Sequence, residues 1–178
     1  MTRLFTAVLL LALGATAASA QMTAGANNSP LAAVGANWKS ATNYILQSAK
    51  DMPEDKYGYQ PTPEVRTFGQ LIGHVAGAER MFCAIGMGEA PTGEADIEKT
   101  VHDKAGLIKA LEESMAYCDK AYAQPDAATQ ASVDLFGQKV TRFYALVMNA
   151  THNGEHYGNI VTYLRMNGMV PPSSRRGM

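Results

Sequence analysis

The stretch His152-Asn-Gly-Glu-His-Tyr-Gly-Asn-Ile-Val-Thr-Tyr-Leu-Arg165 is the most informative segment of the sequence. Thr141 is placed to cap a helix that runs through it to about Met166, where Asn167-Gly168 provides a stop signal. On such a helix His152 and His156 share one face, with Cβ atoms about 5–6 Å apart. That spacing allows two imidazoles to bind one metal ion.

Three earlier segments show the apolar periodicity of amphipathic helices. The first covers residues 30–52, with Ser29 as N-cap and a proline in the first helical position. The second covers residues 67–87 and opens with the capping-box pattern that starts at Thr67. The third covers residues 100–123. Four such helices with few strand signals predict an all-α four-helix bundle.

The connections between these helices carry glycine and proline. Residues 53–66 and 88–99 are predicted to be loops, and residues 133–140 alternate around a glycine turn, as a small hairpin or an irregular loop would.

The second helix carries a glycine stripe, because Gly69, Gly73 and Gly77 recur every four residues. Each glycine costs about 1 kcal/mol relative to alanine inside a helix. We therefore expect a neighbouring element to approach this helix closely.

The first residues are predicted to be a secretory signal peptide. Arg3 precedes an apolar run, and Ala18-Ser19-Ala20 is a small-x-small cleavage pattern, so that export to the periplasm or the medium is expected. The predicted organisation is a signal peptide cleaved after Ala20 (1–20), a flexible lead-in (21–28), one bundle domain (29–172) and a C-terminal tail (173–178).

Charge and cysteine content limit the remaining classes. The formal net charge is −1, which gives no support to nucleic-acid binding, and no charge run indicates a membrane surface once the signal peptide is removed. Cys83 and Cys118 are either a disulfide or two small buried residues, and the sequence leaves both open.

The histidine content indicates a metal site. His74 lies on the second helix, and with His152 and His156 it makes a set of three imidazoles, which suits zinc, nickel, iron or copper better than magnesium or calcium. Three protein ligands leave positions open for water or substrate, as in catalytic sites. The fourth histidine, His102, is interpreted as a solvated residue near a helix start.

The segment from His152 to His156 also reads H-x-x-E-H, the pattern of inverted zinc peptidases. Only 22 residues follow His156, which are too few for the further helix and acidic ligand that such a peptidase needs. Glu155 is therefore either an exposed acid or a group that orients a ligand or acts on a bound water.

Two segments resemble the DinB-like family of four-helix-bundle metalloproteins. They are Met52-Pro-Glu-Asp-Lys-Tyr-Gly-Tyr-Gln-Pro-Thr-Pro-Glu-Val-Arg-Thr-Phe-Gly-Gln-Leu-Ile-Gly-His74 and the last helix, with Glu155-His-Tyr-Gly158 and Tyr163-Leu-Arg165. The resemblance implies that the second and third helices run parallel, joined by a long crossover. It also implies a divalent metal bound by the three histidines, and it places Cys83 and Cys118 near the same end of the bundle.

Relatives in that family include thiol-dependent transferases, an isomerase with a thiol cofactor and metal-dependent hydrolases, and homodimers are common among them. Small thiols are scarce outside the cytosol, so for an exported chain we expect hydrolysis or transfer on a small molecule. The expected metal is zinc or nickel, and Glu155 and Tyr157 are the candidate catalytic residues. The alternative is a non-enzymatic periplasmic binding protein with a structural metal or a ligand groove.

Overall fold

The computed structural model describes residues 29–91 and 97–175, so the predicted signal peptide and lead-in lie outside the described residues. The helices are α1 (Pro30–Asp51), α2 (Phe68–Met87), α3 (Ile97–Thr100), α4 (Lys104–Tyr122) and α5 (Arg142–Met166), and the strands are β1 (Ser132–Leu135) and β2 (Gln138–Thr141). Short 3-10 helices lie at Glu54–Lys56, Asp126–Gln130 and Pro172–Ser174. Within the described ranges, no helix combines the length and apolar character needed to cross a membrane.

The predicted helix starts are confirmed at three of the four long helices. The Ser29 side chain accepts a hydrogen bond from the backbone of Ala32, and Thr141 does the same for Tyr144. Thr67 forms both halves of the capping box. Such caps satisfy N–H groups that have no partner inside the helix, and each stabilises its helix by about 1 kcal/mol.

The third long helix starts later than the sequence predicts. Asp103 caps it by accepting from the backbone N–H of Gly106, so α4 begins at Lys104. The residues before this cap form the separate helix α3, which makes the loop prediction for residues 88–99 wrong at its C-terminal end. Residues 133–140, left open between a hairpin and a loop, lie in the hairpin of β1 and β2.

Helices α2 and α4 run parallel, as the family resemblance implies. Near their starts, Gly69 lies against Leu107 of α4, and near their ends Cys83 and Cys118 form a disulfide with a Cα–Cα distance of 5.3 Å. The bridge resolves the question that the sequence left open for these cysteines.

Helix α5 runs parallel to α1, with Thr42 beside Asn153 and Tyr44 beside Tyr157, and antiparallel to α2. At one end of the bundle the hydroxyl of Tyr163 in α5 donates to the carbonyl of Arg66, just before α2, and at the other end Gly86 packs against Leu146. This arrangement brings the middle of α2 beside the middle of α5, which is where the three histidines lie.

The core between the four long helices is apolar and aromatic. Trp38 of α1 is 1% exposed and stacks on Tyr122 of α4, with ring centroids 4.6 Å apart. Ile72 of α2, Leu111 of α4 and Leu164 of α5 are fully buried in the same core. Burial of one such side chain contributes about 1.5–3 kcal/mol, so this packing holds α2 and α5 in register.

Candidate metal centre

The three histidines converge at the contact between α2 and α5. The Nε2 atom of His152 lies 3.1 Å from Nε2 of His74 and 3.0 Å from Nε2 of His156. One ligand atom from each ring lies within 4.8 Å of the others. His152 and His156 occupy successive turns of α5, as their spacing predicts, and His74 reaches them from the antiparallel helix α2.

The surroundings keep these imidazoles neutral. Burial lowers the pKa of His74 and of His152, and the positive charge of Arg66 lowers both further. For His156, burial followed by repulsion from His152 lowers the pKa to about 3. Neutral imidazole is the form that binds a metal, so the trio is in its ligand form at ordinary pH.

The donor set fits a divalent transition metal better than it fits mutual hydrogen bonding. A neutral imidazole nitrogen carries either one proton or one lone pair. His152 Nε2 therefore forms one well-aligned hydrogen bond, although two imidazole nitrogens lie within 3.1 Å of it. A single cation between the rings would satisfy all three lone pairs, and only three protein atoms would bind it.

Two further residues adjoin the trio. The Nδ1 atom of His74 lies 3.4 Å from Oε2 of Glu98 in α3, and Oε1 of the same carboxylate accepts from Nε of Arg66 at 2.9 Å. The sequence interpretation missed both residues as parts of the site. The available signal was the glycine stripe of α2, because Gly73 immediately precedes His74 and lies against the backbone of Glu98.

An open cleft of about 710 Å³ leads to His156. It is lined by the segment before α2 and by residues of α2, α3 and α5: Pro61, Thr62, Glu64, Val65, Arg66, Gln70, Leu71, Glu98, Asn159, Thr162 and Tyr163. Its lining mixes apolar surface with amide, hydroxyl and charged groups, which suits a small polar molecule.

The two candidate catalytic residues occupy different surroundings. Glu155 is exposed, and among the described residues no hydrogen bond joins it to any of the three imidazoles. The Tyr157 hydroxyl donates to Ser173 Oγ at 2.7 Å, and its ring stacks on Tyr44 of α1. Tyr157 thus packs the C-terminal 3-10 helix and α1 against α5. His102 is exposed, as predicted.

Beside the trio, a buried polar cluster ties α1, α2 and α5 together. Oε1 of Glu79 accepts hydrogen bonds from Trp38 at 2.8 Å, Thr42 at 2.9 Å and Asn153 at 2.6 Å. Asn153 follows His152 directly, so the cluster fixes the rotation of α5 at the first α5 histidine. The sequence analysis did not identify Glu79 as a buried residue.

The sequence identifies the family. The family model of the DinB superfamily matches residues 37–160, more than half of the chain. The chain therefore belongs to the DinB superfamily. Among curated protein sequences, none matches it significantly.

Solved structures share this fold. A DinB-like protein from Bacillus cereus superposes with a TM-score of 0.67 at 16% identity, over 78% of this chain and 93% of that one. A DinB-like protein from Bacillus subtilis gives 0.63 at 23% identity, over 82% and 99%. A mutant of the mycothiol-dependent maleylpyruvate isomerase gives 0.63 at 19% identity, over 74% and 60%.

Proposed function

We propose that this chain is an exported metalloprotein that binds one divalent ion, zinc or nickel, through His74, His152 and His156. We further propose that it uses the site for hydrolysis or group transfer on a small molecule. The observation that carries the proposal is the convergence of three neutral imidazole nitrogens, with two of the three separations at 3.0 and 3.1 Å.

The arrangement of the site supports chemistry on a bound ligand. An ion held by three imidazoles retains open positions and supplies Lewis-acid activation of a polar group or of water. His156 lines the cleft, so a molecule there would meet the site directly. Asn159 and Thr162 lie one and two turns beyond His156 in sequence and offer hydrogen bonds that would orient it.

Two further observations support this proposal. The isomerase in the comparison acts with a thiol cofactor on a small molecule, as its name states, and it shares this fold. The disulfide between Cys83 and Cys118 supports export, since structural disulfides persist in oxidising compartments.

Metal analysis of the purified protein tests the site. We expect close to one divalent ion per chain in the wild type and almost none in the His152→Ala/His156→Ala variant. The matched control is His102→Ala, because His102 is the exposed fourth histidine and lies outside the trio. Equal metal content in the wild type and the double variant would refute the proposal. Thermal shifts with zinc and nickel salts would then rank the ions, because stabilisation follows affinity for the folded state.

A non-enzymatic binding protein is the second candidate. The specific observation in its favour is that Glu155 and Tyr157 form no hydrogen bond with the imidazoles in the described part of the chain. Turnover assays with activated esters and with thiol acceptors distinguish the two candidates. Metal-dependent turnover that disappears in the double-histidine variant supports the enzyme, whereas ligand binding without turnover supports the binding protein.

A further inference from the structure

We propose that Glu98 is a positioning residue of the metal centre: its carboxylate accepts the Nδ1 proton of His74 and so presents the Nε2 lone pair of that ring to the ion. This inference rests on the proposed metal binding and adds to it a fourth residue, from the crossover between the parallel helices.

The contact geometry assigns one carboxylate oxygen to each neighbour. Oε2 lies 3.4 Å from His74 Nδ1, at the long end of hydrogen bonding, and such contacts are often loose until the ligand is bound. Oε1 accepts from Arg66 Nε at 2.9 Å. The ion pair with Arg66 therefore favours an orientation of the carboxylate in which its second oxygen faces the histidine.

The backbone also holds Glu98 in place. A Cβ built on Gly73 would lie 2.9 Å from Cα and 3.2 Å from N of Glu98, so α3 packs directly on the α2 backbone. Only glycine allows this approach without a shift of one element. Gly73 directly precedes His74. The close contact between Gly73 and α3 therefore also positions the Glu98 carboxylate beside the His74 ring.

The other two rings lack an equivalent carboxylate. His152 Nδ1 is buried without a hydrogen-bond partner, and His156 Nδ1 has only the Asn159 side-chain nitrogen at 3.5 Å. Within residues 29–91 and 97–175, Glu98 is thus the acid in contact with the trio. A carboxylate on the second ring nitrogen selects the tautomer and raises ligand basicity, and its loss lowers metal affinity about 10–100-fold.

Two substitutions at Glu98 separate hydrogen bonding from charge, and a third substitution serves as the control. Glu98→Ala removes the acceptor and the charge, whereas Glu98→Asp keeps the charge and shortens the reach by one methylene. The matched control is Glu112→Ala, which breaks a surface ion pair with Lys50 that involves none of the three histidines. Zinc affinity is measured by competition with a chromophoric chelator, and the His74 tautomer is read from 15N shifts of the metal-free protein.

We expect both Glu98 variants to bind zinc at least tenfold more weakly than wild type and to shift His74 away from the Nδ1–H tautomer, while Glu112→Ala changes neither. Wild-type affinity in Glu98→Asp, with loss only in Glu98→Ala, would overturn the proposal, because it would reduce the effect to charge. An unchanged tautomer in Glu98→Ala would also overturn it. If the wild type binds no metal but its tautomer depends on Glu98, the proposed function fails while the positioning of His74 is upheld.

Discussion

At the residue scale, Glu79 has the most unusual surroundings of the described carboxylates. It is fully buried, and burial raises its pKa to about 7, although hydrogen bonds from Trp38, Thr42 and Asn153 and the charge of Lys39 oppose the shift. Its second oxygen, Oε2, is buried without a partner. A proton on this oxygen leaves Oε1 free to accept from all three donors, so the cluster is compatible with the neutral acid.

The raised pKa of Glu79 predicts a pH-dependent stability. Between about pH 4.5 and 7 the folded protein keeps a proton that the unfolded chain has lost, so stability falls as pH rises across this window, by up to about 1.4 kcal/mol per pH unit. The three imidazoles have lowered pKa values and act in the opposite direction below pH 6.5. We therefore expect the stability difference between wild type and Glu79→Gln, from urea unfolding of metal-free protein, to grow with pH in favour of the variant. A difference that stays constant from pH 4.5 to 8 would contradict the prediction.

At the element scale, α3 packs closely against α2 at Gly73, where the absence of a side chain allows the two backbones to meet. In Gly73→Ala the added Cβ would meet the Glu98 backbone at 2.9 Å, and backbone cannot give way as a flexible side chain can. We expect a loss of about 1–3 kcal/mol in unfolding free energy. Gly158→Ala is the control, because Gly158 lies in α5 with nothing within 4 Å of the Cβ that alanine would add, and alanine there should stabilise the fold by up to about 1 kcal/mol. Stabilisation of similar size in both variants would show that the α2 and α3 backbones are not in close contact at Gly73.

The elements differ in how far the sequence predicted them. The long helices were predictable because their signals are local, as with the Ser29, Thr67 and Thr141 caps. The sequence left the hairpin open against an irregular loop, because the first central residue of its turn is Phe136 at φ 54°, where asparagine is the usual signal.

The residues of the candidate site also differ in how far the sequence predicted them. The sequence predicted the α5 histidines as a pair because helical spacing alone brings them together. Glu98 lies 24 positions after His74 and reaches it only through the packing of α3 on Gly73. The burial of Glu79 likewise depends on the packing of α1 and α5 over it, and the sequence of α2 alone does not indicate this packing.

At the scale of the whole molecule, the disulfide joins the two parallel helices and closes a loop that contains the crossover. Cys83 and Cys118 are 35 positions apart, so the bridge should stabilise the fold by about 3–4 kcal/mol through restriction of the unfolded chain. Both cysteines are fully buried, so exchange with a small thiol requires the bundle to open first.

These properties make the disulfide a test of the proposed export. The full-length chain, produced in a bacterial host, should appear in the periplasmic fraction with both cysteines oxidised, whereas a chain that starts at residue 21 should stay in the cytosol as the dithiol. Thiol labelling with and without denaturant reads the redox state, and urea unfolding should show the dithiol form to be less stable by about 3–4 kcal/mol. The variant Cys83→Ala/Cys118→Ala serves as the control for a bundle without the bridge. A full-length product that remains cytosolic and reduced would contradict export, while equal stability of the oxidised and reduced forms would contradict a structural role for the bridge.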